Sequence, residues 1–323
     1  MTQPHESAPL HVVFGAGQVG TKVARQLAHD GHRVRLVRRS GAGEPIPGVT
    51  WARGDATDPA SADEACAGAS VVYHSANPAT YYNWATLLPP ITNGIREAAT
   101  RAGARLVVLD NLYMVGRPSR SPFTEDEPMK PCSRKGALRA ELAQGLLDAH
   151  ARGDVEVAIG RASDFFGPDT PNTAMFRPAF FASLAQGKAV DALGDPDMPH
   201  SYSYTPDVAR GLAVLGTREG STGRVWHLPV AAQLSTRELV ERFAEAAGQP
   251  AKIRTLPTWL LRALGLFSPL MREVSEMAYQ WEVPYLASDE AFRTTFGVDP
   301  TPLDEAIAAT LRSHGLLAEA EAA

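Results

Sequence analysis

The run "LHVVFGAGQVGTKVARQLAHDG", Leu10 to Gly31, constrains the fold more than any other stretch of the chain. A short β-branched apolar segment runs into glycines, and apolar residues then recur at helical spacing until Gly31 stops them. The glycines of "GAGQVG", Gly15, Gly17 and Gly20, suit a tight turn, a close backbone approach and close packing of helix on sheet. With Gln18 and Val19 they offer a pyrophosphate the amide hydrogens and positive end of a helix start. Alone the pattern is weak, since a glycine turn serves many α/β proteins. Between an apolar strand and an amphipathic helix it predicts dinucleotide binding.

The alternation continues. "RVRLVRR", "VTWARGD", "ASVVYHSANP" and "ARLVVLDNLYMVG" read as further strands, with helical segments around 61–67 and 84–102 between the later ones. This predicts an α/β fold, a Rossmann-type doubly wound parallel sheet covered on both faces. A helix from Arg134 to about Arg152 follows, then a sixth strand, "VEVAIGRASDFFGP". Later segments are less regular, with helices expected at 206–217, 235–247, near 258–282 and at 302–317, and strands at "GRVWHLP" and "AKIRTLP". The expected division is a dinucleotide-binding core over 8–168. Mixed segments over 169–323 return to the core and form a small C-terminal substrate-binding cap.

Charge and cysteine content narrow the class. A net charge of -5, with basic residues scattered rather than blocked, argues against nucleic-acid binding. The first ten residues lack a basic start and an apolar run of signal-peptide length, and no apolar stretch approaches the roughly 20 residues that span a membrane. A cytoplasmic chain, monomer or homodimer, is the expectation. Cys66 and Cys132 give neither a disulfide framework nor zinc-ligand spacing, and His74, His200 and His227 form no short-spaced metal motif, so no metal is expected.

The end of the second strand bears on cofactor choice. It reads "LVRRSG", with Arg38 and Arg39 where an NAD site usually keeps a carboxylate; a guanidinium there suits an added phosphate, which favours NADP(H) over NAD(H). Solvent-facing arginines are the plain alternative. Asp55, in "RGDATD", is a candidate acceptor for the adenine amino group or a simple loop cap.

"VVFGAGQVG", "RGDATD", "YHSANP", "RASDFFGP" and "YSYTPDVARGL" occur in an order that resembles an extended or atypical short-chain dehydrogenase/reductase, the NAD-dependent epimerase/dehydratase-like superfamily. The resemblance spans residues 10–215 and is looser beyond. It implies that Ala76, Asn77 and Pro78 pass the cofactor, that Asn93 lies in the following core helix, and that Ser163, Asp164, Gly167 and Pro168 form a wall near the nicotinamide. Each also has an ordinary reading as a cap, turn or polar helix residue.

The superfamily's usual catalytic group, Ser/Thr followed by Tyr-x-x-x-Lys, is degraded. Matching the lysine to Lys135 puts Pro131 at the tyrosine site, whereas matching a downstream glutamate to Glu141 puts Ser133 at the tyrosine site and Ala137 at the lysine site. Asn111 takes the approximate Ser/Thr position. Tyr113, two residues on, points to the same side if the strand stays extended and is the candidate proton donor. Lys135 is a candidate for the nicotinamide ribose or a solvated helix-start lysine; Arg134 and Arg139 read as surface residues. Tyr81, Tyr82 and Trp84 suit an aromatic substrate pocket or a packing seal, and Tyr202 and Tyr204 suit a cap opening or one face of an alternating strand.

Cofactor motifs without the proton-transfer motif favour an NADP(H)-dependent reductase of a ketone or aldehyde in a small metabolite, because direct carbonyl reduction asks less of a base. The alternatives are an epimerase or dehydratase of a sugar-like metabolite with relocated catalytic groups, and a nonenzymatic NADP(H)-binding protein.

Overall fold

A computed structural model describes residues 8–318, apart from the side chains of Tyr81, Pro269 and Leu270. The chain divides into two compact units. The first holds residues up to Asn111, Ala137–Arg161 and Val208–Leu228; the second holds Leu112–Gly136, Ala162–Asp207 and the chain from Pro229 onward.

The elements begin with β1 (Leu10–Phe14), α1 (Gly20–His29), β2 (Arg33–Arg38), β3 (Val49–Arg53), α2 (Pro59–Cys66) and β4 (Ala69–His74). There follow α3 (Trp84–Ala102), β5 (Arg105–Asp110), α4 (Arg134–Ala151), β6 (Val157–Arg161), β7 (Asp164–Phe166), α5 (Pro178–Ala185), β8 (Val190–Leu193) and β9 (Pro199–Tyr204). Then α6 (Thr205–Thr217) leads to β10 (Arg224–His227).

In the first unit a seven-stranded parallel sheet runs β10-β6-β5-β4-β1-β2-β3. Its central strands are buried on both faces, which is why they read as nearly unbroken apolar runs. Strand order reverses between β1 and β4, the switch point outside which open α/β sheets bind ligands. Helix α3 buries Trp84, Leu88, Thr92, Ile95, Ala98 and Ala99 at three- to four-residue spacing, and ends at Gly103 in the left-handed region.

The second unit adds β11 (Ala232–Ser235), α7 (Thr236–Ala246), β12 (Ile253–Leu256), α8 (Thr258–Gly265), α9 (Pro269–Met277), α10 (Glu290–Phe296) and α11 (Leu303–Ser313). Its sheets are β11-β9-β7 and the pair β12-β8. An aromatic core of Phe166, Phe176, Phe180, Phe181 and Phe243 packs mostly edge to face. Ser235 caps α7 in a reciprocal pair with Glu238.

Two expectations change. "VEVAIGRASDFFGP" is two strands, because β6 runs out of partners where Arg161 faces the last residue of β5, Asp110; β7 then joins β9. "ARLVVLDNLYMVG" stops as a strand at Asp110, and Tyr113–Val115 form a 3-10 turn closed by Gly116 at φ 68°. Neither unit is continuous in sequence: 112–136 and 162–168 belong to the second, and 208–228 to the first, where β10 pairs with β6.

Candidate dinucleotide and active site

The glycine turn sits on β1 and the start of α1. Gly15 has φ +100°, and a Cβ there would stand 2.5 Å from the Ala76 amide nitrogen; at Gly20 a Cβ would stand 1.9 Å from the Gly15 carbonyl oxygen. These two glycines let backbone meet backbone. Gly17 differs, because nothing lies within 4 Å of the Cβ it lacks. Val19, the residue before α1, has no polar side-chain atom with which to cap it, so the helix start keeps its positive end beside that open space. The cradle therefore fits a pyrophosphate. Gln18 contributes its carbonyl, which accepts from the Lys22 ammonium at 2.9 Å.

On the β2–β3 side Arg38 is exposed and lies 5.9 Å from the centroid of the Trp51 ring, which accounts for a guanidinium at this strand end without a phosphate; Arg39 is also exposed. Asp55 accepts from the Thr57 amide at 2.9 Å and hydroxyl at 2.7 Å. Those bonds, with a smaller contribution from the Arg39 charge, hold its carboxyl below the usual range. One carboxylate oxygen, Oδ1, thus caps its own loop.

On the β4–β5 side Ser75 donates its amide to the Phe14 carbonyl, seating the "SANP" loop against β1. Ala76 is half-buried, Pro78 buried, and Asn77 exposed. The Asn77 amide oxygen accepts from Arg139 at 3.0 Å. The same guanidinium stands 3.3 Å from Asp110 and 4.6 Å from the centroid of the Trp84 ring. Trp84, 4% exposed, packs here instead of lining an open pocket. Tyr82 faces solvent, and the side chain of Tyr81 lies outside the described residues. Asn93 is exposed one step off the buried stripe of α3; its neighbour Thr92 points inward, with its hydroxyl 3.0 Å from His74 Nε2.

The second unit carries the rest. Tyr113 is half-buried, and its carbonyl accepts from the Tyr279 phenol at 3.3 Å; the Tyr285 phenol donates to the Leu112 carbonyl at 2.8 Å. The turn removes the extended geometry on which the pairing of Tyr113 with Asn111, itself half-buried, was based. Lys135 is 4% exposed, with its ammonium bonded to Glu276 at 2.9 Å and to Glu273. That makes it a buried ion-pair residue and not a solvated helix-start lysine. Ser133 Oγ accepts from the Gly136 amide at 2.9 Å, so the hydroxyl at the tyrosine position caps a helix.

Ser163 is half-buried and donates its hydroxyl to the Ser201 carbonyl at 2.6 Å. Asp164 is half-buried and bonds His200 at 2.8 Å; His200 is fully buried and stacks on Trp281 and Tyr285. Tyr202 and Tyr204 lie in the aromatic core. Tyr202 OH bonds the Thr236 hydroxyl at 2.6 Å, so both tyrosines follow the packed-strand alternative. Sequence reasoning missed Tyr279 and Tyr285, and the partners of Arg139 and His200, because these contacts join residues 29 to 173 apart, beyond any spacing rule. Among the described residues no group of three or more His, Cys, Asp or Glu is placed to hold a metal, and no helix is long and apolar enough to cross a membrane.

The profile of the NAD dependent epimerase/dehydratase family matches residues 11–228. A dTDP-glucose 4,6-dehydratase of Streptomyces griseus is 32% identical over 158 residues, 49% of this chain and 48% of that protein, so this match spans about half the relative's length. UDP-glucuronic acid decarboxylase 1 of Xenopus tropicalis is 26% identical over 228 residues, 63% of this chain and 52% of that protein. Among solved structures, MoeE5 in complex with UDP-glucose and NAD superposes with a TM-score of 0.72 at 21% identity, covering 94% of this chain and 98% of that one. DesIV, a dTDP-glucose 4,6-dehydratase from Streptomyces venezuelae with NAD bound, gives 0.75 at 20%, covering 95% and 97%.

Two expectations fall with these findings. The similar proteins are named as nucleotide-sugar dehydratases and decarboxylases, which overturns the carbonyl-reductase reading, and the solved structures hold NAD, which overturns the NADP(H) preference drawn from Arg38 and Arg39. An enzyme of NAD(P)-dependent oxidoreductase type remains the class.

Proposed function

Because the chain belongs to the NAD dependent epimerase/dehydratase family, we propose that it is an NAD-dependent enzyme of nucleotide-linked sugars, with chemistry that begins by oxidising a sugar hydroxyl. The observation that carries this reading is the Gly15–Gly20 cradle, with open space at Gly17 and an uncapped helix start. Bound NAD supplies a hydride acceptor. Backbone amides of the turn and the positive end of α1 hold its pyrophosphate, and Asp55 offers the adenine amino group an acceptor. Ala76, Asn77 and Pro78 line the cofactor beyond the turn. Asp164, oriented by His200, is a polar contact for a sugar hydroxyl. Tyr113, as its phenolate, remains the candidate base for the hydroxyl proton.

The test offers the chain NAD+ with UDP-glucose, UDP-glucuronic acid or dTDP-glucose in turn. Reduced-nicotinamide absorbance and the mass of the sugar product are followed in deuterated water. At least one nucleotide sugar is expected to transfer hydride and change mass or configuration. Absence of hydride transfer from all three, with NAD+ binding intact, would overturn the assignment.

A further inference from the structure

A dinucleotide held at the β1–α1 turn with its adenosine half toward β2 and β3 must carry its other half over β4 and β5, because the strand order reverses at β1. Arg139 stands on that side. One guanidinium nitrogen donates to Asn77, just past β4; another faces Asp110, the last residue of β5; the Trp84 ring lies beneath. Its Nε is buried and has no hydrogen-bond partner among the described residues. Asp110 is not its exclusive counter-ion, since Arg161 stands 3.7 Å from the other carboxylate oxygen. The field is felt nearby: burial first, and then the Arg139 charge, lower the His74 pKa to about 3.

From this arrangement we infer that Arg139 is the fixed cation for the nicotinamide half of the cofactor, supplying from α4 the charge that Ala137 does not. The inference rests on the NAD reading above. The oxidised nicotinamide ring is positively charged and the reduced ring is neutral, so a cation held beside it disfavours the oxidised form and favours acceptance of hydride. Three anchors already fix the guanidinium, so little side-chain freedom is lost when the cofactor binds. The spare Nε–H is a donor for a ribose hydroxyl or the carboxamide oxygen.

The experiment measures dissociation constants of NAD+ and NADH for the full chain and for Arg139→Met and Arg139→Lys, with circular dichroism to verify folding. Arg139→Met should weaken NADH relative to NAD+ by about tenfold, as expected for removal of one nearby charge, while Arg139→Lys keeps most of the preference. A ratio within about twofold of the parent in Arg139→Met would reduce the residue to a packing role. If Arg139→Met does not fold, Arg139→Gln decides: the amide keeps a donor for Asn77 but not the charge, so a ratio shifted toward NAD+ supports the inference and an unchanged ratio overturns it. Failure of the parent chain to bind either form would reject the functional reading itself, a result distinct from an unresponsive ratio.

Discussion

A Cβ placed on Gly20 would lie 1.9 Å from the carbonyl oxygen of Gly15, so the first and last glycines of the turn are fitted to each other before any ligand arrives. Gly20→Ala must displace backbone. It should destabilise the chain by about 1–3 kcal/mol and weaken NAD+ binding. Gly17→Ala meets nothing within 4 Å and should leave thermal stability nearly unchanged, yet weaken NAD+ by filling the space at the helix start. Thermal unfolding and calorimetric titration of the two variants separate these effects. Unchanged NAD+ affinity in Gly17→Ala would remove Gly17 from the phosphate cradle.

Lys135 tests the corrected role of a predicted catalytic residue. With its ammonium buried against Glu273 and Glu276, Lys135→Met removes one of the two cations these carboxylates share, the exposed Arg134 guanidinium being the other, and should cost about 1–3 kcal/mol. Urea denaturation measures the loss. NAD+ affinity of the folded variant should be unchanged, and a large drop there would restore Lys135 to the cofactor.

Tyr113→Phe keeps the ring and removes only the hydroxyl. If that phenol handles the proton, single-turnover hydride transfer from a nucleotide sugar should slow by about a hundredfold with NAD+ affinity retained. An unchanged rate would pass the role to another group.

Two buried histidines set an acid limit on stability. Burial, with the charge of His32 adding to it, lowers His11 from 6.5 to about 4, and burial with Arg139 lowers His74 to about 3. Between these values and 6.5 the unfolded chain binds protons that the folded chain does not, so stability falls as pH falls through that window. Each histidine adds a slope of about 1.4 kcal/mol per pH unit at full effect. His11→Gln should flatten denaturation free energy against pH between about 6.5 and 4. An unaltered slope would show that His11 does not contribute.

The dinucleotide half was legible because its signals are local: strand, glycines and helix lie within Leu10–His29, and the burial pattern follows apolar periodicity. Arg38 misled because chemistry at a strand end is ambiguous, and only Trp51, thirteen residues on in sequence, supplies a different use for the charge. Tyr113 misled through geometry. Apolar residues continue past Asp110, but the ladder partners do not, and a turn replaces the strand. Arg139 resembled other helix arginines in sequence. Its meaning depends on Asn77 and Asp110, which only the assembled sheet brings to it.

The return of Arg224–His227 to pair with β6 has a consequence for synthesis of the chain. A ribosome that has released everything through β9 has produced a sheet whose outer strand still presents an open edge of amides and carbonyls. Such an edge invites pairing with another nascent chain. The second unit's residues 162–207 are completed during that wait, so they emerge before the first unit can close. Cutting the gene after residue 168 would thus leave β6, a strand of the fully buried type, as a sticky edge, whereas a truncation that keeps 208–228 in cis puts the shorter β10, with Arg224 exposed, at the edge in its place.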